Sequence, residues 1–280
     1  YGPVTVREAL VQSMNIPAIK AAQLTGVEEL YDFAKNKLGF STLVDNEEID
    51  GQIYSDKNLS SLALGGLTKG VTVQDLTAAY MPFANGGKYI KPYTYTKVVD
   101  RNGKVILEKE IRSEQLYSEQ TAYLMTSILM DVAKGPLGSS ALISNSVSAG
   151  KTGTSNDDID RWYVGYTPYY LGGVWYGYEK AKTVPYSATR IVAHKLWKAV
   201  MEEIHEDLSE KEFEEPAGIT TATICKISGD RASSNCPAIT EEFKVGTTPK
   251  KVCSTAHATA SSKPEKSSDS TPTPSATPVS

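Results

Sequence analysis

The stretch "SNSVSAGKTGTSNDD", residues 144–158, holds Gly150-Lys151-Thr152, the three residue types that close a phosphate-binding loop. Such a loop needs another glycine five positions before its second one, and that position is Asn145. Its Lys-Thr must also open a helix, whereas here Gly153 follows and then a polar run, poor helix material. Shifted by one residue, the same letters read Lys151-Thr152-Gly153-Thr154. A cation and two hydroxyls then surround a residue with no side chain, a set suited to holding an anionic ligand along a strand edge. A second polar pair, Ser13-Met14-Asn15, stands where the first helix should end. Each motif alone has an ordinary structural reading. Ser-x-Asn recurs at Ser233-Ser234-Asn235 in a loop, and Lys-Thr-Gly-Thr also suits a plain strand end.

Other chemistries have little to draw on. Of three histidines, His194 and His205 read as surface positions on one helix, and His257 falls in a low-complexity tail. A Ser-His-Asp triad is therefore not expected. The three cysteines, Cys225, Cys236 and Cys253, lack Cys-x-x-Cys pairs, which argues against zinc. The net charge of −4 with no basic run excludes a nucleic-acid partner. No apolar run approaches the length of a membrane-spanning helix. With 40% hydrophobic residues in 280, the chain can bury a real core.

The elements that must position these residues are legible in outline. Thr5-Val-Arg-Glu8, Thr25-Gly-Val-Glu28 and Thr72-Val-Gln-Asp75 read as capping boxes opening helices near 5–13, 26–38 and 72–84. A fourth helix is expected near 118–133, with Leu124, Ile128, Leu129 and Val132 inward. A fifth is expected near 187–207, with Ile191, Leu196, Ala199, Val200 and Ile204 inward. Arg101-Asn102-Gly103 between "YTYTKVVD" and "KVILE" reads as a hairpin. "SVSAGKTGT", "RWYVGYTP" and "YYLGGVWYGYE" read as an antiparallel meander, which puts Lys151 to Thr154 on a strand. Gly65-Gly66 reads as a tight turn, and Asp157, Asp158 and Asp160 as solvated loop residues. Trp162, Tyr163 and Trp175 read as core. From Ser254 the chain is Ser/Thr/Pro-rich, which predicts disorder.

Ser-x-Asn followed by a Lys-Thr-Gly strand matches two of the three motifs of the active-site-serine penicillin-recognising enzymes, whose set is Ser-x-x-Lys, Ser-Asp-Asn and Lys-Thr-Gly. "VTVREALVQSMNIPAIKAA", "LSSLALGGLTKGVTVQDLTAAYMPFANGGKYIKPY" and "AGKTGTSNDDIDRWYVGYTP" extend the similarity. The chain resembles the transpeptidase domain of class A penicillin-binding proteins over residues 1–208, more faintly through 209–253, and not in the tail, 254–280. The resemblance implies an α+β fold: an antiparallel sheet flanked by helices, a helical subdomain, and the active site between them. It implies serine acyl transfer on peptidoglycan stem peptides, inhibition by β-lactams, and no metal or cofactor. Ser13 would relay a proton, Asn15 would orient the donor peptide, and Lys151 would supply charge near Ser13 and the substrate carboxylate. Thr152 and Thr154 would bind that carboxylate, Gly153 would let substrate lie along the strand, and the Thr154 N–H would face the oxyanion. A D,D-carboxypeptidase or β-lactamase of the same fold, and a non-catalytic β-lactam sensor or wall-binding module, are the alternatives.

The nucleophile motif is missing from its expected place ahead of Ser13. Ser148-Ala-Gly-Lys151 satisfies Ser-x-x-Lys in letters only, because an odd offset on a strand points the two side chains to opposite faces. The start "YGPVTVREAL" looks like mid-domain sequence. The expectation is a fragment, with the nucleophile, the glycosyltransferase domain and the membrane anchor upstream. The extracytoplasmic location that the resemblance implies is oxidising, so a Cys225–Cys236 disulfide is expected, with Cys253 left over or paired to a partner.

Overall fold

The computed structural model describes residues 2–185, 191–255 and 257. The tail from residue 258 on, and positions 187–190 at the start of the expected last helix, lie outside the described residues. Helix α1 (Val6–Val11) starts where Thr5 Oγ1 accepts the Glu8 N–H at 3.1 Å. Helix α2 (Asn15–Thr25) follows, a helix the capping signals did not reveal. Thr25 is therefore not an N-cap: it closes α2 with its hydroxyl on the Ala21 carbonyl, and Gly26 at φ 100° turns the chain into α3 (Val27–Asp32). A π-helical turn, Phe33–Lys37, extends α3.

A small hairpin, β1 (Glu47–Ile49) with β2 (Gln52–Tyr54), leads to α4 (Leu59–Leu64), which ends on Gly65 at φ 82°. Gly65 is thus a left-handed helix cap, in keeping with the turn reading. The buried Asp56 carboxylate ties this helical region together, accepting from Val44 N–H at 2.9 Å and Thr68 N–H at 2.8 Å. Helix α5 (Val73–Ala84) begins as expected, Thr72 Oγ1 accepting the Asp75 N–H. The Asp75 carboxylate does not reach back to close the box; it accepts from Ser41 instead. Strand β3 (Lys88–Ile90) pairs with β6 (Ser113–Gln115) around the expected hairpin, β4 (Lys97–Val99) with β5 (Val105–Glu108).

Helix α6 (Glu119–Lys134) and the meander β7 (Ala149–Thr154), β8 (Arg161–Tyr166), β9 (Leu171–Tyr176) form the centre, followed by α7 (Val192–Ile204). The sheet order is β7-β8-β9, antiparallel throughout. One face of the sheet packs on α7 through Tyr163, Trp197 and Met201. The other packs on α5 and α6 through Leu129, Val132, Tyr166 and Tyr80. Glycines permit the close approach: a Cβ on Gly173 would overlap Thr77 Oγ1 of α5, and one on Gly172 would lie 2.7 Å from Met201 Cε of α7.

Three helix-face readings change. On α6, Leu129 and Val132 are buried, but Leu124 and Ile128 are only half-buried, the rest of the inward face being Ala122, Thr126 and Ala133. On α7 the inward face is Ala193, His194, Trp197 and Met201, while Leu196, Val200 and Ile204 are exposed. His194 and His205 are therefore buried. His194 Nε2 lies 2.9 Å from the Leu137 carbonyl, and His205 joins Thr167 Oγ1 at 2.8 Å and the Met201 carbonyl at 2.6 Å. Burial pushes the His194 pKa down, partly opposed by the Leu137 carbonyl.

A last hairpin, β10 (Ile219–Cys225) with β11 (Ala238–Lys244), docks against α1 and α6. Arg7 Nε donates to both carboxylate oxygens of Glu241, at 3.0 and 2.9 Å, and Arg7 Nη1 to Asp131 at 2.7 Å. The expected Cys225–Cys236 disulfide is not formed; all three cysteines are free thiols, gathered together with His257 so that no two form an exclusive pair. Among the described residues, no helix is long and apolar enough to cross a membrane.

Candidate active site

Helix α1 ends in a Schellman turn. Met14 N–H bonds back to the Ala9 carbonyl at 2.8 Å and Ser13 N–H to the Leu10 carbonyl at 3.0 Å. The residue between these two bonds must be left-handed, a place that glycine usually fills; here it is Ser13, at φ 51°. A Cβ in that conformation costs about 1–2 kcal/mol. Ser13 Oγ accepts a 2.7 Å hydrogen bond from Lys151 Nζ, across 138 positions of sequence. The two motifs meet.

Lys151 lies mid-way along β7, and its Nζ also donates to the Thr152 carbonyl at 3.0 Å. Burial penalises the ammonium form, so its pKa falls to about 8. The group still carries its charge at neutral pH and can exchange a proton with a neighbouring hydroxyl at modest cost. Among the described residues β7 has a strand partner on one side only, so its other side can meet an extended ligand. Gly153 has a further reason to be glycine: a Cβ there would sit 3.1 Å from Trp162 Cβ on β8.

Lys151, Thr152, Gly153 and Thr154 line a cavity of about 840 Å³ between the sheet and the helical region, reaching Leu67 and Tyr80. Two expected site residues, Ser13 and Asn15, do not line this wall; Ser13 joins it only through its bond to Lys151, and Asn15 makes no such link. It opens α2, exposed, two residues beyond Ser13. Ser148, the false partner of Lys151, is buried with no hydrogen-bond partner for its hydroxyl, whereas Lys151 faces Ser13.

Sequence reasoning missed what supports Thr154. Arg161, directly across from it on β8, is buried and donates from Nη1 to Thr154 Oγ1 at 3.2 Å. Its other arm pairs with Asp158 at 2.9 Å. Arg161 engages one lone pair of the Thr154 hydroxyl, which orients it as a donor toward an anionic ligand. Asp160 accepts from Ser155 Oγ at 2.7 Å and Trp175 Nε1 at 2.8 Å, locking the β7–β8 loop. So Asp158 and Asp160 are structural partners rather than solvated acids. Tyr163 is core, but Trp162 and Trp175 line the cavity. A charged residue at the head of an aromatic strand was the available signal for Arg161.

Comparison with known proteins identifies the family. The family described as penicillin binding protein transpeptidase domain matches residues 1–202. That described as penicillin-binding protein 1A, C-terminal domain, matches residues 215–258. Penicillin-binding protein 1A of Clostridium tetani is 35% identical over 265 residues, covering 90% of this chain and 32% of that protein. Penicillin-binding protein 1A of Aquifex aeolicus is 32% identical over 255 residues, covering 91% and 33%. The chain thus spans about a third of the length of the curated relatives it matches. Among solved structures, penicillin-binding protein 1A from Haemophilus influenzae superposes with a TM-score of 0.71 at 24% identity, covering 90% of this chain and 42% of that one. The PonA1 protein from Mycobacterium tuberculosis, in complex with penicillin V, gives 0.62 at 25% identity, covering 76% and 59%. The Lys-Thr-Gly-Thr edge strand and the serine that meets it therefore have a family setting: the chain belongs to the penicillin-binding protein transpeptidase-domain family.

Proposed function

We propose that this chain forms the carboxylate-binding and proton-relaying side of a peptidoglycan D,D-transpeptidase working at the extracytoplasmic face of the cell membrane. The observation that carries the reading is the 2.7 Å contact of Lys151 Nζ with Ser13 Oγ. In the reaction, a serine attacks the carbonyl between two D-alanines of a stem peptide, and an acyl-enzyme forms as D-alanine leaves. The amine of a second stem peptide then takes the acyl group and frees the serine. Ser13 passes a proton toward the leaving amine, with Lys151 holding its hydroxyl. Thr152, Thr154 and the Lys151 charge hold the terminal carboxylate, and the Thr154 N–H serves the oxyanion. Asn15 orients the donor backbone from the start of α2. A β-lactam ring enters as a mimic of the donor, its carboxylate on the same edge.

In this reading the nucleophile belongs to a Ser-x-x-Lys helix outside these residues, Ser148 sharing only the letters of that motif with its hydroxyl buried. Fluorescent penicillin tests this. The 280-residue chain alone should take no covalent label. The longer protein with that helix should be labelled on its serine, and Lys151→Ala should slow that labelling at least about 100-fold. Stoichiometric labelling of the chain alone, or an unchanged rate in the Lys151 variant, refutes the assignment.

A further inference from the structure

Cys225, Cys236, Cys253 and His257 converge at the end of the C-terminal hairpin, each offering one ligand atom, all four within 4.8 Å of one another. We propose that they form a tetrahedral zinc site that staples this C-terminal unit. The proposal stands apart from the acyl-transfer reading.

The donor set is the first argument. Three thiols and an imidazole make a Cys3His site, the composition of closed, structural zinc centres. With Zn–S near 2.3 Å and Zn–N near 2.0 Å, a tetrahedron has edges of about 3.5–3.8 Å. His257 Nε2 lies 3.1 Å from Cys225 Sγ and 3.2 Å from Cys253 Sγ, so a few tenths of an ångström open the cluster to that size.

Preorganisation is the second. Each cysteine sits on backbone pinned by hydrogen bonds. Cys225 N–H donates to the Asp230 carbonyl at 2.8 Å, Cys236 N–H to Ser233 at 3.1 Å, and Cys253 N–H to Arg231 at 2.9 Å. Arg231 bridges Ile224 on one side and Val252 on the other, which brings the Cys253 strand beside β10. Donors also face the sulfurs. Ser228 N–H lies 3.5 Å from Cys225 Sγ, and Ser233 N–H 3.4 Å from Cys236 Sγ. Such N–H···S contacts favour thiolates, the form a metal binds. Binding one Zn²⁺ here releases three thiol protons and leaves the imidazole neutral.

Need is the third. Among described residues beyond position 208, the buried apolar set is Ile224, Cys225 and Cys253 alone. A unit of this size with almost no apolar core requires another staple. Cys225 is 0% exposed and Cys253 is 3% exposed, so what is buried here is mostly sulfur. The spacing Cys253-x3-His257 is the signal that a search for Cys-x-x-Cys passes over.

The test uses the whole chain, isolated with thiol-blocking at harvest. Elemental analysis should find one zinc per chain. Replacement by Co²⁺ should give thiolate-to-cobalt charge-transfer absorption with tetrahedral ligand-field bands. That spectrum is read on the unaltered chain and needs no variant to fold. Cys253→Ser and His257→Asn should each weaken zinc binding by more than about 100-fold. A chain without stoichiometric zinc and without thiolate–cobalt bands overturns the proposal. So does a disulfide among these cysteines in the freshly blocked protein, or variants that bind zinc as well as the parent.

Discussion

Ser13 combines the hydroxyl of the proposed proton relay with a backbone conformation that disfavours side chains. Glycine would relax the turn, and alanine would keep the strain while also losing the hydroxyl. In the 280-residue chain, Ser13→Gly should therefore be more stable than Ser13→Ala by about 1 kcal/mol, measured by urea denaturation. In the longer enzyme both should lose acylation alike, by roughly 10²–10⁴-fold. Equal stability of the two variants would show that the left-handed turn stores no strain. The identities of Ser13, Lys151, Thr152, Gly153 and Thr154 were legible in the sequence because their chemistry depends on type and short-range spacing. Their convergence was not legible in the residues themselves, since 138 positions separate Ser13 from Lys151; it came only with the family resemblance. Nor was the Arg161 support for Thr154, because cross-strand register depends on where the β7–β8 loop ends.

At the scale of elements, strands read better than helix faces. The meander follows the sequence closely, since aromatic and β-branched runs broken by short turns have few other solutions. Helix α7 is apolar on two faces, and periodicity alone cannot choose between Leu196–Val200–Ile204 and Ala193–Trp197–Met201. Trp197 decides, because its indole N–H reaches the carbonyls of Gly165 and Gly172 at 3.1 Å each. Those contacts need glycines on the facing strands, a requirement visible only once both partners are placed. The same requirement holds on the other face, where Gly173 meets Thr77. Thr77 is short and already bonded to the Val73 carbonyl at 2.7 Å, so it cannot swing aside. Gly173→Ala should force α5 from β9 and cost about 1–3 kcal/mol, read as a lower melting temperature. A change within about 0.5 kcal/mol would mean that α5 moves freely on the sheet.

Across the whole molecule, the C-terminal unit and the catalytic edge are joined through α1. Arg7 on α1 bonds Glu241 on β11 and Asp131 on α6, six residues before Ser13. Burial pushes the Glu241 carboxyl up, but its hydrogen bonds to Arg7 and the guanidinium charge outweigh this and hold it below the ordinary carboxylate range. A lowered folded pKa contributes stability that is complete above the unfolded value and is lost as pH falls through the folded one. The parent chain should therefore lose this contribution from about pH 4.5 downward. Arg7→Ala should cost on the order of 2 kcal/mol at pH 7 and make stability less steep in that acidic range. Parallel pH series of urea denaturation check both, and identical slopes would dissociate Glu241 from the clamp. None of this was legible beforehand. The C-terminal segment shows weak periodicity, and its partners lie at the opposite end of the chain.

That separation has a temporal consequence. Arg7 and Glu241 lie 234 positions apart. A polypeptide synthesised N-terminus first presents α1 well before the Glu241 carboxylate that clamps it. Until β11 arrives, α1 holds to α6 through Asp131 and its apolar side but lacks the Glu241 half of its clamp. A nascent chain stalled or cleaved before position 238 never fastens it. The completed clamp is thus a chemical record that translation has run through β11.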